Sequence, residues 1–504
     1  MVAKSVIFLA AALQIAGQEY AGSPACTPCH AEIAARYATS GMGRSLAPVR
    51  SLPEARVDAP ALGRSFEVIH KDGRMTQRES GPEFASEHEL AYAIGSGFNG
   101  VSFAVKRGDH LLQAPLSWYT RTRTWELSPG YEHADYGFNR PLAAACLACH
   151  SGRPRPVALS NGRYLSPPFE EMAIGCENCH GPGKRHAASA KRADIVNPAR
   201  LPRARAEEIC MNCHQGGDAR VLMPGKQETD FRPGQRLSDV VAIFQHARTA
   251  DTDLLQHHEA MRESACFQKS ANFTCHTCHN PHAAKSNYDA TCASCHKVLS
   301  AQHTTARKDC ADCHMRKREI GFIAHSALTN HRISRNPPVV RAGGLTQFND
   351  GPAPTALTLL QAYGQALAKF PALASEFQSA LASAPAGEPI VLATRGRQAL
   401  REGRFNEAIP LLRAALDKGY RVAATYEDLA DALARTGQLD ASVDLIGRGL
   451  EAAPFSQTLH KSLALRHIQR KDYPAARAAL EKYVALFPED DFIRRLLKQV
   501  SATP

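Results

Sequence analysis

The sequence predicts a mainly α protein: a loop-rich N-terminal module carrying a small β-containing insert, then an α-solenoid of paired helices. Three observations predict this. Cysteine and histidine crowd residues 20–332. Beyond residue 354 cysteine is absent and alanine and leucine dominate. Through that second region runs a period of 34 residues, the mark of stacked helical repeats. A composition of 44% hydrophobic and 22% charged residues is that of a globular chain, neither disordered nor fibrous.

The elements follow in chain order. One positive charge at Lys4 precedes an apolar run from Val6 to Ala16. Residues 1–17 therefore read as a secretory signal, too short to span a bilayer, and the protein is expected to be periplasmic or otherwise exported. No later stretch reaches about 18 apolar residues, so no membrane span is expected. Residues 18–335 form the module rich in Cys and His. Within it, 57–140 lack cysteine. There Phe66 to His70 runs into Lys71-Asp72-Gly73, a strand entering a hairpin turn. From 336 to 354 prolines and glycines mark a linker.

Residues 355–504 hold the repeats. Gly396, Ala430 and Ala464 align at one spacing, as do Phe405, Leu439 and Tyr473. So do Ala408, Ser442 and Ala476, then Leu416, Leu450 and Val484, with Pro454 and Pro488 closing the last two units. Small residues let paired helices approach, and proline stops the second helix. The pattern resembles the tetratricopeptide repeat, three units over about 388–490 behind a cap at 355–387. That resemblance implies a concave protein-docking surface.

The chemistry lies in the cysteines. Of 15, all but Cys266 fall into C-x-x-C-H strings: Cys26/Cys29/His30, Cys146/Cys149/His150, Cys176/Cys179/His180, Cys210/Cys213/His214, Cys275/Cys278/His279, Cys292/Cys295/His296 and Cys310/Cys313/His314. Chance placement would give about 0.02 such strings. Two thioethers to a haem and a proximal histidine under its iron require this spacing, so seven covalent haems c are expected. Zinc or a thioredoxin-like pair has no need of histidine after every second cysteine. Close spacing of the strings forces the haems together, as electron hopping between irons needs.

Opposite ligands must come from the other histidines. His186 and His282 follow their own strings closely and are placed for a neighbouring iron; His258, His303, His325 and His331 complete the preferred set. His70, His88, His133, His246 and His257 rank below them. Met42, in a glycine-rich turn, is the candidate for the first iron, where a thioether would raise the potential. Cys266 reads first as a small buried thiol.

Residues 20–332 resemble the multihaem c-type cytochromes that include the ammonia-oxidiser tetrahaem cytochrome, pentahaem nitrite reductase and hydroxylamine oxidoreductase. The matching pieces are Tyr20-Ala21-Gly22-Ser23, Cys176 to Gly183 with His186, Cys275 to His282, and Cys310 to Met315 with His331. The resemblance implies that His186 and His282 serve neighbouring haems; the family usually places a histidine near Met42, and here the chain departs. Two functions follow. The first is an electron carrier between redox partner proteins, docked through the repeats. The second is an oxidoreductase acting on a small nitrogen or sulfur compound at one open haem. No C-x-x-C-K string supports the second, while Tyr119, Tyr131, Tyr136, His88 and His133 offer it a pocket wall.

The formal charge of +11 then changes meaning. Seven ferric haems with their propionates bring about −7, leaving about +4. The basic excess is counter-charge for cofactors, and nucleic acid is excluded as a partner.

Overall fold

The computed structural model describes residues 19–131, 136–246, 256–283, 286–297, 310–319, 327–333 and 343–502. The expected signal at 1–17, His133, His303 and His325 lie outside them.

The insert is larger than predicted. Strands β1 (Leu46–Pro48), β2 (Ala55–Ala59), β3 (Arg64–Lys71), β4 (Arg74–Gly81), β5 (Phe84–Ile94), β6 (Gly100–Arg107), β7 (His110–Gln113), β8 (Leu116–Tyr119), β9 (Thr124–Leu127) and β10 (Arg140–Pro141) form one sheet. Its main path is β10-β7-β6-β5-β4-β3-β2, with β1 on β5 and the β8–β9 hairpin on β6. All pairings are antiparallel. The predicted hairpin is β3–β4, turning at Asp72 and Gly73, both at positive φ (51° and 76°). That conformation matches the twist of the flanking strands. Phe66 and Val68 alternate inward on β3, at 1% and 0% exposure, and join Phe103, Leu112, Leu116 and Trp125 in one core. Gln77 closes the sheet over itself, its side-chain amide exchanging two 2.9 Å hydrogen bonds with the backbone of Leu116.

Two further small sheets matter for position. β11 (Arg153–Pro156) pairs with β12 (Tyr164–Glu171). β13 (Ala219–Leu222), β14 (Val241–His246) and, after a short two-stranded β15–β16 ribbon (Lys317–Glu319 and Ala327–Thr329), β17 (Leu345–Gln347) form a three-stranded sheet. The stretch read as linker therefore contributes a strand. Asn349 fixes it: its buried amide accepts from Ile243 N and donates to Val241 O, both at 2.8 Å.

Nine helices complete the described chain: α1 (Ala356–Ala366), α2 (Ala374–Ser383), α3 (Pro389–Arg401), α4 (Phe405–Asp417), α5 (Ala423–Arg435), α6 (Leu439–Ala452), α7 (Gln457–Gln469), α8 (Tyr473–Leu486) and α9 (Asp491–Ser501). The period is visible in the packing. Phe405, Leu439 and Tyr473 each open a helix. Ala430 and Ala464 are at 1% and 0% exposure, and Ala408, Ser442 and Ala476 at 0%. Gly396 needs to be small, since a Cβ there would lie 2.6 Å from Leu412 Cγ. The solenoid is as predicted, while the extent of sheet makes the chain less predominantly helical than its composition implied.

Candidate functional site

Each C-x-x-C-H string lies in or at the edge of a short helix: Ser23–Cys26, Ala144–His150, Glu177–His180, Arg203–His214, Cys275–Cys278, Tyr288–Cys295 and Cys310–His314. The backbone closes one turn from first cysteine to histidine, with His30 N to Cys26 O and His180 N to Cys176 O at 3.0 Å, and His279 N to Cys275 O and His296 N to Cys292 O at 2.9 Å; the other three strings lie wholly inside helices. One turn puts both thiols and the imidazole on a common side.

The strings are drawn together in space, although up to 156 positions separate the residues bonded directly. Glu177, 2% exposed, accepts from Ala21 N (2.9 Å), Gly22 N (2.8 Å) and Gly183 N (2.6 Å), fastening the third string to the entry of the first. Ser23 Oγ accepts from Cys176 N at 2.9 Å. Thiols of different strings meet as Cys26 with Cys176, Cys149 with Cys213, Cys210 with Cys275, and Cys292 with Cys310.

This close packing does not enclose every cysteine. Cys29 is exposed, whereas Cys26 of the same string is half-buried. The helix Ser23–Cys26 ends before Cys29, which lies in the turn leading into the next helix, Ala31–Tyr37. Only the first thiol of that string is carried against the third. Cys146, Cys295 and Cys313 are exposed in the same way, each beside a half-buried partner, Cys149, Cys292 and Cys310.

Histidine rings pair across strings. His30 lies 6.3 Å from His186 between ring centres, with planes 23° apart. His180 lies 6.0 Å from His282 at 11°, His279 lies 6.1 Å from His331 at 32°, and His214 lies 5.8 Å from His257 at 53°. Two nitrogen–metal bonds of about 2 Å, with about 1 Å from nitrogen to ring centre on each side, place coaxial imidazoles about 6 Å apart.

The outward nitrogens are oriented as ligands require. Nδ1 of His180, His186 and His331 bonds the carbonyls of Val196 (2.8 Å), Lys191 (2.9 Å) and Thr329 (2.9 Å). A carbonyl only accepts, so Nδ1 carries the proton and Nε2 keeps its lone pair for a metal.

Several thiols are held neutral, although the Cys213 thiol beside Cys149 lowers that one. Burial, with the Cys176 thiol beside it, pushes Cys26 up to about 12. Burial holds Cys179 up at about 11, and the Asp289 carboxylate, with burial, raises Cys310 to about 11. Zinc and thioredoxin-like sites need the reverse shift. Among the described residues no group of three or more His, Cys, Asp or Glu converges as a zinc cage would. No two of the fifteen cysteines are joined in a disulfide. Paired imidazoles and neutral thiols fit covalent haem.

Two predicted ligands are placed otherwise. His258, 6% exposed, bonds Glu207 through Nε2 at 3.1 Å and sits between Phe267 and Phe348. Its neighbour His257, ranked lower from sequence, faces His214 instead. Successive helical residues point about 100° apart, so only one of the two can look toward the fourth string. Met42 opens a 3₁₀ turn, Met42–Arg44, whereas the ring facing His30 is that of His186. Among the lower-ranked histidines, His246 stacks on Phe370 at 4.3 Å, His88 packs on Phe138 at 4.5 Å, and His70 bonds Ser51 Oγ. Cys266 lies half-buried in helix Ala265–Lys269, its thiol raised by burial.

The suggested pocket wall is occupied with structural bonds. Tyr131 donates to Gln113 O and Gly137 O, both at 3.0 Å, and Tyr119 to Leu127 O at 3.1 Å. No helix among the described residues is long and apolar enough to cross a membrane.

Comparison with known proteins matches parts of the chain. The family model described as Tetratricopeptide repeat matches residues 394–456 and 427–491. The multiheme cytochrome MtrA of Shewanella baltica (strain OS185) is 26% identical over 191 residues, 32% of this chain and 55% of that protein. The chain thus spans about half the length of that curated relative. Solved structures similar to part of the chain include the APC/C hetero-tetramer Cut9-Hcn1, 26% identical, covering 29% of this chain and 30% of that one, with a TM-score of 0.26. The Sgt2 TPR domain from Aspergillus fumigatus is 22% identical, covering 23% and 80%, with a TM-score of 0.21. MamA is 17% identical, covering 29% and 76%, with a TM-score of 0.22.

Proposed function

We propose that this protein is an exported heptahaem c-type cytochrome that carries electrons between redox partner proteins, its repeats docking one of them. The observation that carries the reading is the spacing of about 6 Å between imidazoles of different strings, His30 with His186 and His180 with His282 above all. The 26% identity to a multiheme cytochrome supports the class of protein.

In this reading fourteen cysteines, from Cys26 to Cys313, hold seven haems by thioethers, and His30, His150, His180, His214, His279, His296 and His314 are the proximal ligands. His186, His282, His257 and His331 stand opposite the first, third, fourth and fifth. His303 and His325 are proposed for the remaining haems. When bound, haem supplies reversible one-electron chemistry. The chain's own part is positional. Glu177 and Ser23 clamp the first string to the third, and the carbonyls of Val196, Lys191 and Thr329 fix the ring tautomers.

The mass and the electron paramagnetic resonance of the purified protein test this. The expected result is seven covalent haems with low-spin signals dominant. A mass lacking covalent haem overturns the cofactor, and a stoichiometric high-spin signal overturns the pure carrier.

A further inference from the structure

The solenoid is fastened to the rest of the molecule at both ends, by different means. At its start α1 and α2 share an apolar core with β13, β14 and β17: Leu360, Ala366 and Leu381 pack with Val221, Phe244 and Leu345, all buried. At its far end the contact is polar. Asn139 Nδ2 donates to Leu486 O at 2.8 Å, and Arg64 donates to Glu489 O. Lys498 Nζ pairs with Glu83 at 3.1 Å. The Phe84 ring lies under two guanidinium groups, Arg64 from the sheet at 4.8 Å and Arg494 from α9 at 5.0 Å. Gly137, at φ +50°, sits where a Cβ would come within 3.3 Å of the Glu489 carboxylate. A single aromatic plug, Phe455 between α6 and α7, inserts against Arg107 at 4.7 Å and His110 at 4.9 Å.

We propose that this far end is a releasable strap, and that its opening is felt at the second cysteine string. Apolar burial dominates at the first end, beside the ion pair of Lys369 with the buried Asp218 at 2.8 Å, whereas the exposed ion pair and cation–π contacts of the far end weaken when screened. Polar contacts between parts of one chain are those that move. The path to the second string is short. Phe455 rests on β6 and β7 through Arg107 and His110, and β7 pairs with β10 at Arg140 and Pro141. Three residues past β10 begins the helix Ala144–His150, whose Leu147 shares a core with Leu111 of β7.

Amide hydrogen exchange on the full-length protein tests the strap, and it does so independently of the haem reading. Raising salt to about 1 M should speed exchange in 84–113 and 486–498 together, by about tenfold, with 219–246 and 356–381 unchanged. Lys498→Glu should reproduce this at low salt, and Lys498→Glu with Glu83→Lys should reverse it. Phe455→Ala should open the same segments without altering charge. Equal salt response at both ends, or no rescue by the double variant, overturns the strap. Exchange of 144–150 should rise whenever the strap opens; constant exchange there overturns the transmission.

Discussion

The imidazole of His282 lies 6.0 Å from that of His180, their planes 11° apart, although 102 positions separate them in sequence. Neither ring needs the other for burial. The arrangement is intelligible when both address one metal from opposite sides, and the bond from Nδ1 of His180 to Val196 O holds that ring in the required tautomer.

Removing His186 should therefore be felt at a single haem. His186→Ala in the haem-loaded protein is expected to convert one low-spin signal to high-spin in paramagnetic resonance, whereas Met42→Leu leaves the spectrum unchanged. A high-spin signal from the Met42 variant would return that position to the thioether.

Glu177 carries the join between the first and third strings. Glu177→Ala leaves three buried or half-buried N–H groups without their acceptor and should cost about 3 kcal/mol. Thermal unfolding measures this; a change within about 0.5 kcal/mol would show that other contacts hold the join.

The repeats give a paired prediction. Gly447, inside α6, has nothing within 4 Å of an added Cβ, so Gly447→Ala should stabilise by about 0.5–1 kcal/mol through helix propensity. Gly396→Ala meets buried Leu412 and should destabilise by about 1 kcal/mol despite the same propensity gain. Denaturant midpoints of the two variants should move in opposite directions.

Burial lowers His88 from 6.5 to about 4, so the folded protein keeps it neutral where the unfolded chain takes a proton. Its contribution is present above pH 6.5 and is lost as pH falls from there toward 4. His88→Gln should flatten the pH dependence of stability across that window; an unchanged slope assigns the acid sensitivity to other groups.

The sequence displays what repeats or spaces itself regularly. The strings, the helix starts at Phe405, Leu439 and Tyr473, and the hairpin at Asp72-Gly73 are of this kind, because local chemistry decides each. Partner choice is another matter. His257 and His258 are adjacent and chemically equal, and only the docking of their helix decides which one faces His214. Cys26 and Cys29 are equally alike in sequence, and only tertiary packing leaves one half-buried and the other exposed. The edges of the sheet were also hidden: β1 is three residues long and is held by β5, nearly fifty positions later. β17 lies in a stretch whose glycines and prolines mask Leu345, buried at 8% exposure.

The contact of Arg64 with Glu489 spans 425 positions, and that of Asn139 with Leu486 spans 347. Such closures form late, because long loops must be restrained first. On a chain emerging from its N-terminus, all seven strings precede the last helices that seal the sheet. On the proposed reading, the time before the seal is an assembly window for attaching the haems. On that reading, moving the repeats to the front of the gene would shut the window early and lower the number of haems each molecule receives.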